Sequence, residues 1–151
     1  MSKSILNTPE ESKFRLLLLL SVLPDGQYDQ QWISAMDFLS IYGADFDYNG
    51  VNIHGDSWMR FTEYALRIWI VRDALHEMVM LGWLTAIPTA SGYMYRISET
   101  GKKRAAEFST SYAAPYRENA ADCYAAYGQR TGKSLDALIR NAGMKMTERR
   151  R

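Results

Sequence analysis

Apolar residues recur every three or four positions between residues 61 and 81, which predicts one long helix with an apolar side. This first row consists of Phe61, Ala65, Ile68, Val71, Leu75 and Met78. A second apolar row lies beside it and consists of Leu66, Trp69, Ile70 and Met80. The charged residues left mainly for water are Glu63, Arg67, Asp73 and Glu77. The pattern predicts a central helix that is covered on two sides.

Two short strands and another helix are predicted directly after this long helix. Gly82 is the expected left-handed helix stop. Residues 83–87 and 93–97 are β-prone runs around a turn at residues 88–92. Ser98 is placed to cap a helix through its side-chain oxygen, with acidic and basic residues following it. This order predicts the core of a winged-helix domain, in which the hairpin is the wing.

Two helices are predicted before the long one. Thr8, Pro9 and Glu11 form a capping box, and the five leucines at 16–20 cover nearly every face, so this first helix is expected to be deeply buried. Residues 30–42 read as an amphipathic second helix that ends at Gly43. Residues 44–60 read as a long loop, because they contain Asn-Gly and Gly-Asp turn pairs.

The C-terminal part is predicted to be helical as well. A helix that starts near residues 109–111 and runs to about Tyr127 carries an apolar stripe, which we expect to pack on the core rather than to form a partner-binding face. The stripe consists of Tyr116, Ala120, Tyr124 and Tyr127. Ser134 is the expected cap of a short last helix that Gly143 stops, before a disordered charged end.

The predicted fold class is therefore mainly α with a small β-hairpin. A winged-helix-like domain is expected at residues 1–110, a C-terminal helical extension packed on it at 111–143, and a basic tail at 144–151. Hydrophobic residues make up 47% of the 151 residues, which is enough for a sizeable core.

Composition indicates a soluble cytoplasmic protein. The single cysteine, Cys123, cannot form an internal disulfide, and His54 and His76 lack metal-ligand spacing. The apolar run after Arg15 is well short of the roughly 20 residues that span a bilayer.

The charge distribution argues against direct DNA reading. Residues 1–99 hold 7 Lys and Arg against 12 Asp and Glu, whereas residues 100–151 hold 11 against 5. Lysine and arginine dominate DNA affinity, yet Arg96 is the only positive charge in the predicted hairpin. The basic run Lys102, Lys103 and Arg104 is a candidate for phosphate contacts, although such runs more often mark a solvated surface.

Catalytic motifs are absent from the sequence. It contains no Gly-rich phosphate loop, zinc-type Cys/His set, nucleophile elbow or acidic cluster typical of a metal-dependent nuclease. Asp37 reads as an exposed carboxylate or a cap, and His54 reads as a structural histidine, because neither has a catalytic companion nearby. We therefore expect no catalytic residue, no metal and no cofactor, and no enzyme activity.

Several segments follow one another in an order that resembles the small middle component of ABC-three-component systems, as found in Lamassu-type prokaryotic defence operons. They read NTPEES, FRLLLLLSVL, MDFLSIYGADF, NIHGDS, IVRDALHEMVMLGWL, YRISETGKKRAAEF and STSYAAPYRENA. The resemblance covers roughly residues 5–127. The residues at family-pattern positions are Asp37, Asp45, Phe46, His54, Arg72 and Gly82. Gly55 stands where the family usually has Pro, and Tyr42 where a His is common.

The resemblance implies a non-enzymatic adaptor that joins an SMC-like coiled-coil ABC ATPase to an effector, often a nuclease, in defence against phage or plasmids. DNA contact is then expected only through the complex. The alternative from the residues is a winged-helix transcription regulator that binds DNA as a dimer, which would need Lys or Arg on its groove-facing helix. A nuclease would need paired carboxylates beside a lysine, and no such grouping is visible.

Partner contacts are expected from the surplus of aromatic residues. The chain has 4 Trp, 10 Tyr and 5 Phe, more than a core of this size needs, and Trp and Tyr are favoured at interfaces. The candidate interface residues are Trp58, Tyr116, Tyr124, Arg67 and Arg72.

Overall fold

The computed structural model describes residues 9–46, 52–53, 60–108 and 110–149. The helices in these ranges are α1 (Pro9–Val22), α2 (Gln30–Ile41), α3 (Arg60–Met80), α4 (Glu99–Ala106), α5 (Ala113–Tyr127) and α6 (Gly132–Arg149). The strands are β1 (Tyr28–Asp29), β2 (Leu84–Thr89) and β3 (Gly92–Ile97). The protein is therefore mainly α with a small β-hairpin, as the sequence predicts.

The core is centred on α1 and α2. The five leucines of α1 are all buried, which confirms the prediction for residues 16–20. The side chains of α2 are buried from Trp32 to Ile41, because α3, α5 and α6 all pack against this helix. Helix α2 begins where the Asp29 carboxylate accepts a hydrogen bond from the backbone N–H of Trp32 at 2.8 Å. The expected cap of α1, Thr8, lies outside the described residues.

Helix α3 is buried along one side only, so the prediction of a central helix covered on two sides is wrong. Its buried residues are Arg60, Tyr64, Arg67, Val71, Ala74, Leu75 and Met78. Ala65 belongs to the predicted buried row but is exposed, and Arg67, which was assigned to water, is buried. The apolar pattern identified the helix correctly, but it does not reveal which apolar row has a neighbour.

The sheet has three antiparallel strands in the order β1-β3-β2. Strands β2 and β3 form the predicted hairpin, but its turn is shorter than the predicted 88–92, because Thr89 pairs with Gly92 across only two residues. Strand β1 pairs Tyr28 with Tyr95 and was not predicted, because two residues show no periodicity.

The junction between α3, the hairpin and α4 is tied together by one serine. Gly82 has φ 80°, which confirms it as the left-handed helix stop. The Ser98 hydroxyl accepts a hydrogen bond from the Gly101 N–H at 3.0 Å, which confirms its capping role. The same hydroxyl lies 2.6 Å from the Gly82 carbonyl oxygen and 2.9 Å from that of Trp83, either of which can accept its hydrogen bond.

The last two helices depart from the prediction in their bounds. Helix α5 begins at Ala113, and α6 begins at Gly132 with the Thr131 hydroxyl, not Ser134, accepting a hydrogen bond from the Ser134 N–H at 3.1 Å. Helix α6 continues to Arg149, so the predicted stop at Gly143 and the disordered end are wrong for residues 144–149. A Cβ at Gly143 would lie 3.0 Å from the Phe61 Cβ, so this glycine allows α6 to approach α3 closely.

Candidate partner-binding site

One side of α3 presents large apolar side chains to solvent. We call it the solvent face of α3 and define it as Leu66, Trp69, Asp73, Glu77 and Met80, which recur at three- and four-residue spacing. Leu66 is 66% exposed, Trp69 is 58% exposed and Met80 is 86% exposed. Leu81 is exposed just after α3, and Tyr93 is exposed on β3 near the turn of the hairpin. A group of exposed large apolar residues on one surface is typical of an interaction site.

Trp69 is held in place by a neighbouring cation. The Arg72 guanidinium carbon lies 4.6 Å from the centre of the Trp69 ring, within the range of a cation–π interaction. The same guanidinium contacts the Asp73 carboxylate at 3.2 Å. These contacts restrict the tryptophan before any partner binds, which lowers the entropy cost of burying it.

Around this face, buried cations lie beneath more exposed carboxylates. Lys13 on α1 pairs with Glu77, and Arg67 lies 3.8 Å from Glu63, yet both cations are almost fully buried. The hydrogen bond from Lys13 to Glu77 raises the pKa of the lysine above its usual value, so Lys13 stays charged. The carboxylates of Glu63, Glu77 and Asp73 remain accessible. The exposed surface is therefore apolar, and its accessible carboxylates outnumber the partly exposed guanidinium of Arg72.

A groove of about 440 Å³ borders the solvent face of α3. His76 contributes one wall from α3, while Gln30 at the start of α2 and Tyr93 on β3 contribute others. The groove is open, and both polar and aromatic groups line it. It extends the surface from α3 towards the hairpin.

A buried polar cluster, defined as Arg15, Asp37 and Tyr116, joins α1, α2 and α5. Arg15 donates to both Asp37 oxygens, from Nε at 2.8 Å and from Nη2 at 3.1 Å. The Tyr116 hydroxyl donates to Asp37 Oδ1 at 2.8 Å. The side chains of Arg15 and Asp37 are each 1% exposed, so the prediction of Asp37 as an exposed carboxylate or a cap is wrong.

The sequence carried a signal for this cluster. Arg15 directly precedes five leucines, and Asp37 lies inside the apolar run of the second helix. A charge in apolar surroundings is rarely buried unless it has a partner of opposite charge. On this ground, Arg15 and Asp37 could have been predicted to form an ion pair.

The buried groups are held in protonation states suited to structure. Burial and the Asp37 carboxylate raise the pKa of Tyr116 well above its usual value, so its hydroxyl remains a donor. Burial raises the pKa of Cys123 to about 12, so its thiol is protonated and lies 3.1 Å from the Met36 sulfur. Within the described ranges, no group of three or more His, Cys, Asp or Glu is placed to hold a metal ion.

The sequence-predicted interface residues are scattered through the structure. Trp58 lies outside the described residues, as does His54. Tyr116 is 0% exposed and Arg67 is 4% exposed, so burial removes both from the surface on which they were expected. Tyr124 is half-buried, and its ring meets that of Trp32 in a T-shaped arrangement, in agreement with the stripe packing on the core. Among the candidates that the structure describes, only Arg72 adjoins the solvent face of α3.

The basic run on α4 is engaged with acidic neighbours. Lys102 lies 3.0 Å from Asp25 and 3.4 Å from Glu99, while Arg104 lies 3.3 Å from Glu107. Lys103 is exposed. Phosphate contacts by these three residues remain a prediction.

Comparison with known protein families gives a match over most of the chain. The protein-family model described as "MC2: ABC-three component (ABC-3C) system Middle Component 2" matches residues 5–149. No curated protein and no solved structure matches the chain. The matched span includes α5 and α6 and extends beyond the residues that carry the motif resemblance. None of the helices in the described ranges has the length and apolar character needed to cross a membrane.

Proposed function

This chain belongs to the middle component 2 family of ABC-three-component systems, and from that membership we propose that it is a non-catalytic adaptor subunit. It joins an SMC-like coiled-coil ABC ATPase to an effector such as a nuclease, in a Lamassu-type complex that defends the cell against phage or plasmids. The assembly works in the cytoplasm, in keeping with a single cysteine that is buried and free.

The arrangement of elements supports a winged-helix architecture for the adaptor. The order α1-β1-α2-α3-β2-β3, with β3 between β1 and β2 in the sheet, is compatible with α3 as the counterpart of the groove-reading helix of such domains. The hairpin takes the place of the wing. Helices α5 and α6 extend this domain and pack on α1 and α2.

The solvent face of α3 is the observation that carries the adaptor proposal. A helix that reads DNA presents Lys and Arg to phosphates, because neutralising them supplies much of the affinity. This helix presents Trp69, Leu66 and Met80 with carboxylates between them. The arginine beside them, Arg72, contacts the Trp69 ring and the Asp73 carboxylate. Apolar anchors at a surface are typical of protein contacts. The fold is thus used to hold a protein rather than a duplex.

The buried polar cluster supports a non-catalytic role. Asp37 is the buried carboxylate of the described residues, and its oxygens are taken by Arg15 and Tyr116. A general base needs a free oxygen within reach of a substrate proton. This carboxylate instead fixes three helices relative to one another.

Co-expression with the products of the neighbouring genes tests the adaptor proposal. We expect light scattering after gel filtration to find one particle containing this chain, the ATPase and the effector. Omitting this chain should separate ATPase from effector. The proposal fails if those two proteins co-elute equally well without it, or if this chain elutes alone.

A DNA titration tests the regulator alternative. At physiological salt we expect the isolated chain to bind duplex DNA only non-specifically, with Kd values of roughly 10⁻⁴ to 10⁻⁶ M. Fluorescence anisotropy with a specific and a scrambled duplex measures this directly. Nanomolar, sequence-selective binding would favour the regulator and contradict the adaptor.

A further inference from the structure

We propose that the solvent face of α3 binds an amphipathic helix of a partner subunit, one whose apolar side chains are flanked by Lys or Arg. This inference rests on the proposed adaptor function and specifies the chemistry of its partner. It is drawn from the spacing of the apolar anchors and from the sign of the exposed charges.

The apolar anchors form a stripe long enough for a helix. Trp69 and Met80 lie on the same side of α3, separated along its axis by about 16 Å at 1.5 Å per residue. Leu66 extends the stripe by about one turn in the other direction. A partner helix of roughly four turns laid along α3 can contact all three anchors through residues spaced three and four apart.

The exposed charges favour a basic partner. Asp73 and Glu77 lie between Trp69 and Met80, and Glu10 meets Glu77 at the shared cation Lys13. The side chains of Glu10, Asp73 and Glu77 are 73%, 71% and 57% exposed, whereas that of Lys13 is 7% exposed. Arg72, which contacts Asp73, is 42% exposed, so three exposed carboxylates outnumber one exposed guanidinium. Lysine or arginine on a partner can reach these carboxylates, while acidic residues there would be repelled.

The same charges disfavour a second copy of this chain as the occupant. A two-fold symmetric dimer places a surface against its own copy, so the acidic surface around Asp73 and Glu77 would meet an equally acidic surface. Like charges brought together at an interface are destabilising. The C-terminal helix of this chain is also not free to fold back, because α6 already packs against α2 and α3.

Peptide binding tests the chemistry of the partner directly. The probes are two labelled synthetic helices with identical leucine positions, one flanked by Lys and the other by Glu. By fluorescence anisotropy, we expect the Lys peptide to bind the full-length chain at least tenfold more tightly and to weaken as salt rises. Equal affinity for both peptides would overturn the proposal.

Matched variants locate the binding surface. Trp69→Ala, Met80→Ala and Asp73→Lys should each weaken binding of the Lys peptide, Trp69→Ala by tenfold or more. The controls are Met144→Ala, which changes an exposed methionine on α6, and Asp122→Lys, which reverses an exposed charge on α5. Circular dichroism checks that each variant is folded. Equal losses in the control variants would overturn the proposed location.

Photocrosslinking in the assembled complex separates this inference from the adaptor proposal. With p-benzoylphenylalanine at position 69, we expect a crosslink to a Lys- or Arg-flanked apolar segment of the ATPase or the effector. A crosslink to a second copy of this chain, or an intact complex with all three α3 variants, overturns the inference while the adaptor role stands. If the unaltered chain assembles with neither protein, the adaptor role itself fails, and the peptide titration alone then decides the inference.

Discussion

Two regions of the molecule depart from the usual distribution of residues, in opposite directions. One is the interior between α1, α2 and α5, and the other is the solvent face of α3. The interior holds Arg15 and Asp37 as a buried ion pair, whereas the solvent face of α3 exposes Leu66, Trp69 and Met80. Charged residues are seldom fully buried without a partner, and exposed apolar groups in one patch usually have a use. The buried charges find their partners within the chain, and we propose that the exposed apolar groups find theirs outside it.

The two regions should therefore respond differently to mutation. A buried ion pair adds little stability compared with a well-packed apolar replacement, but removing one member leaves the other charge uncompensated. Truncating an exposed apolar side chain changes the stability of the isolated chain little, because no partner covers that side chain. Stability measurements on the isolated chain can distinguish these cases.

The largest effect is expected from Asp37→Ala in the buried polar cluster. It leaves the buried Arg15 without its carboxylate, which should lower the free energy of unfolding by about 3–5 kcal/mol. Urea denaturation followed by circular dichroism measures the change. The control is Asp122→Ala on the exposed side of α5, expected within about 0.5 kcal/mol of the unaltered chain. Similar losses in both variants would contradict the role of the ion pair.

A matched pair of leucines on α3 gives the next contrast. Leu75 is completely buried and Leu66 is 66% exposed. Leu75→Ala should cost on the order of 2–5 kcal/mol, the range for a truncated core leucine, whereas Leu66→Ala should stay within about 0.5 kcal/mol. Denaturant melts of both variants test the two sides of the helix. A cost below about 0.5 kcal/mol for Leu75→Ala would mean that α3 is misplaced.

A smaller effect is expected from the hydroxyl of Tyr116. Tyr116→Phe removes its hydrogen bond to the Asp37 carboxylate, which should cost about 1.5–3 kcal/mol, the range for hydrogen bonds to charged groups. Tyr93→Phe removes a hydroxyl from an exposed ring and should change stability by less than about 0.5 kcal/mol. Thermal melts of the two variants compare them. If the two variants have the same melting temperature, the Tyr116 hydroxyl contributes less to stability than expected.

Features encoded by neighbouring residues could be predicted from the sequence. Gly82 ends α3 in a left-handed conformation, and Ser98 caps α4 through its own side chain. The hairpin joins two adjacent β-prone runs, and five leucines in a row fix the burial of α1. The helix stop, the cap and the turn of the hairpin depend on interactions within a few positions, and the burial of the leucine run follows from its apolar composition.

Features that depend on distant residues could not be read in the same way. Arg15 and Asp37 are 22 positions apart, and β1 is a strand only because β3 lies beside it. Gly143 resembled a helix stop, but its absent side chain makes room for Phe61 on another helix. The exposure of Trp69 depends on which elements pack against α3, and the period of the apolar pattern carries no such information.

The packing of α5 and α6 around α2 also sets the order in which the newly made chain can fold. Trp32 on α2 donates its indole N–H to the Arg130 carbonyl at 3.1 Å, and α6 covers the same helix. At 5–20 residues per second, translation reaches α6 on the order of ten seconds after α2. Until then α2 lacks part of its cover, and apolar surface exposed during synthesis is prone to aggregate. Production of this subunit therefore depends on the ribosome finishing its C-terminal helices.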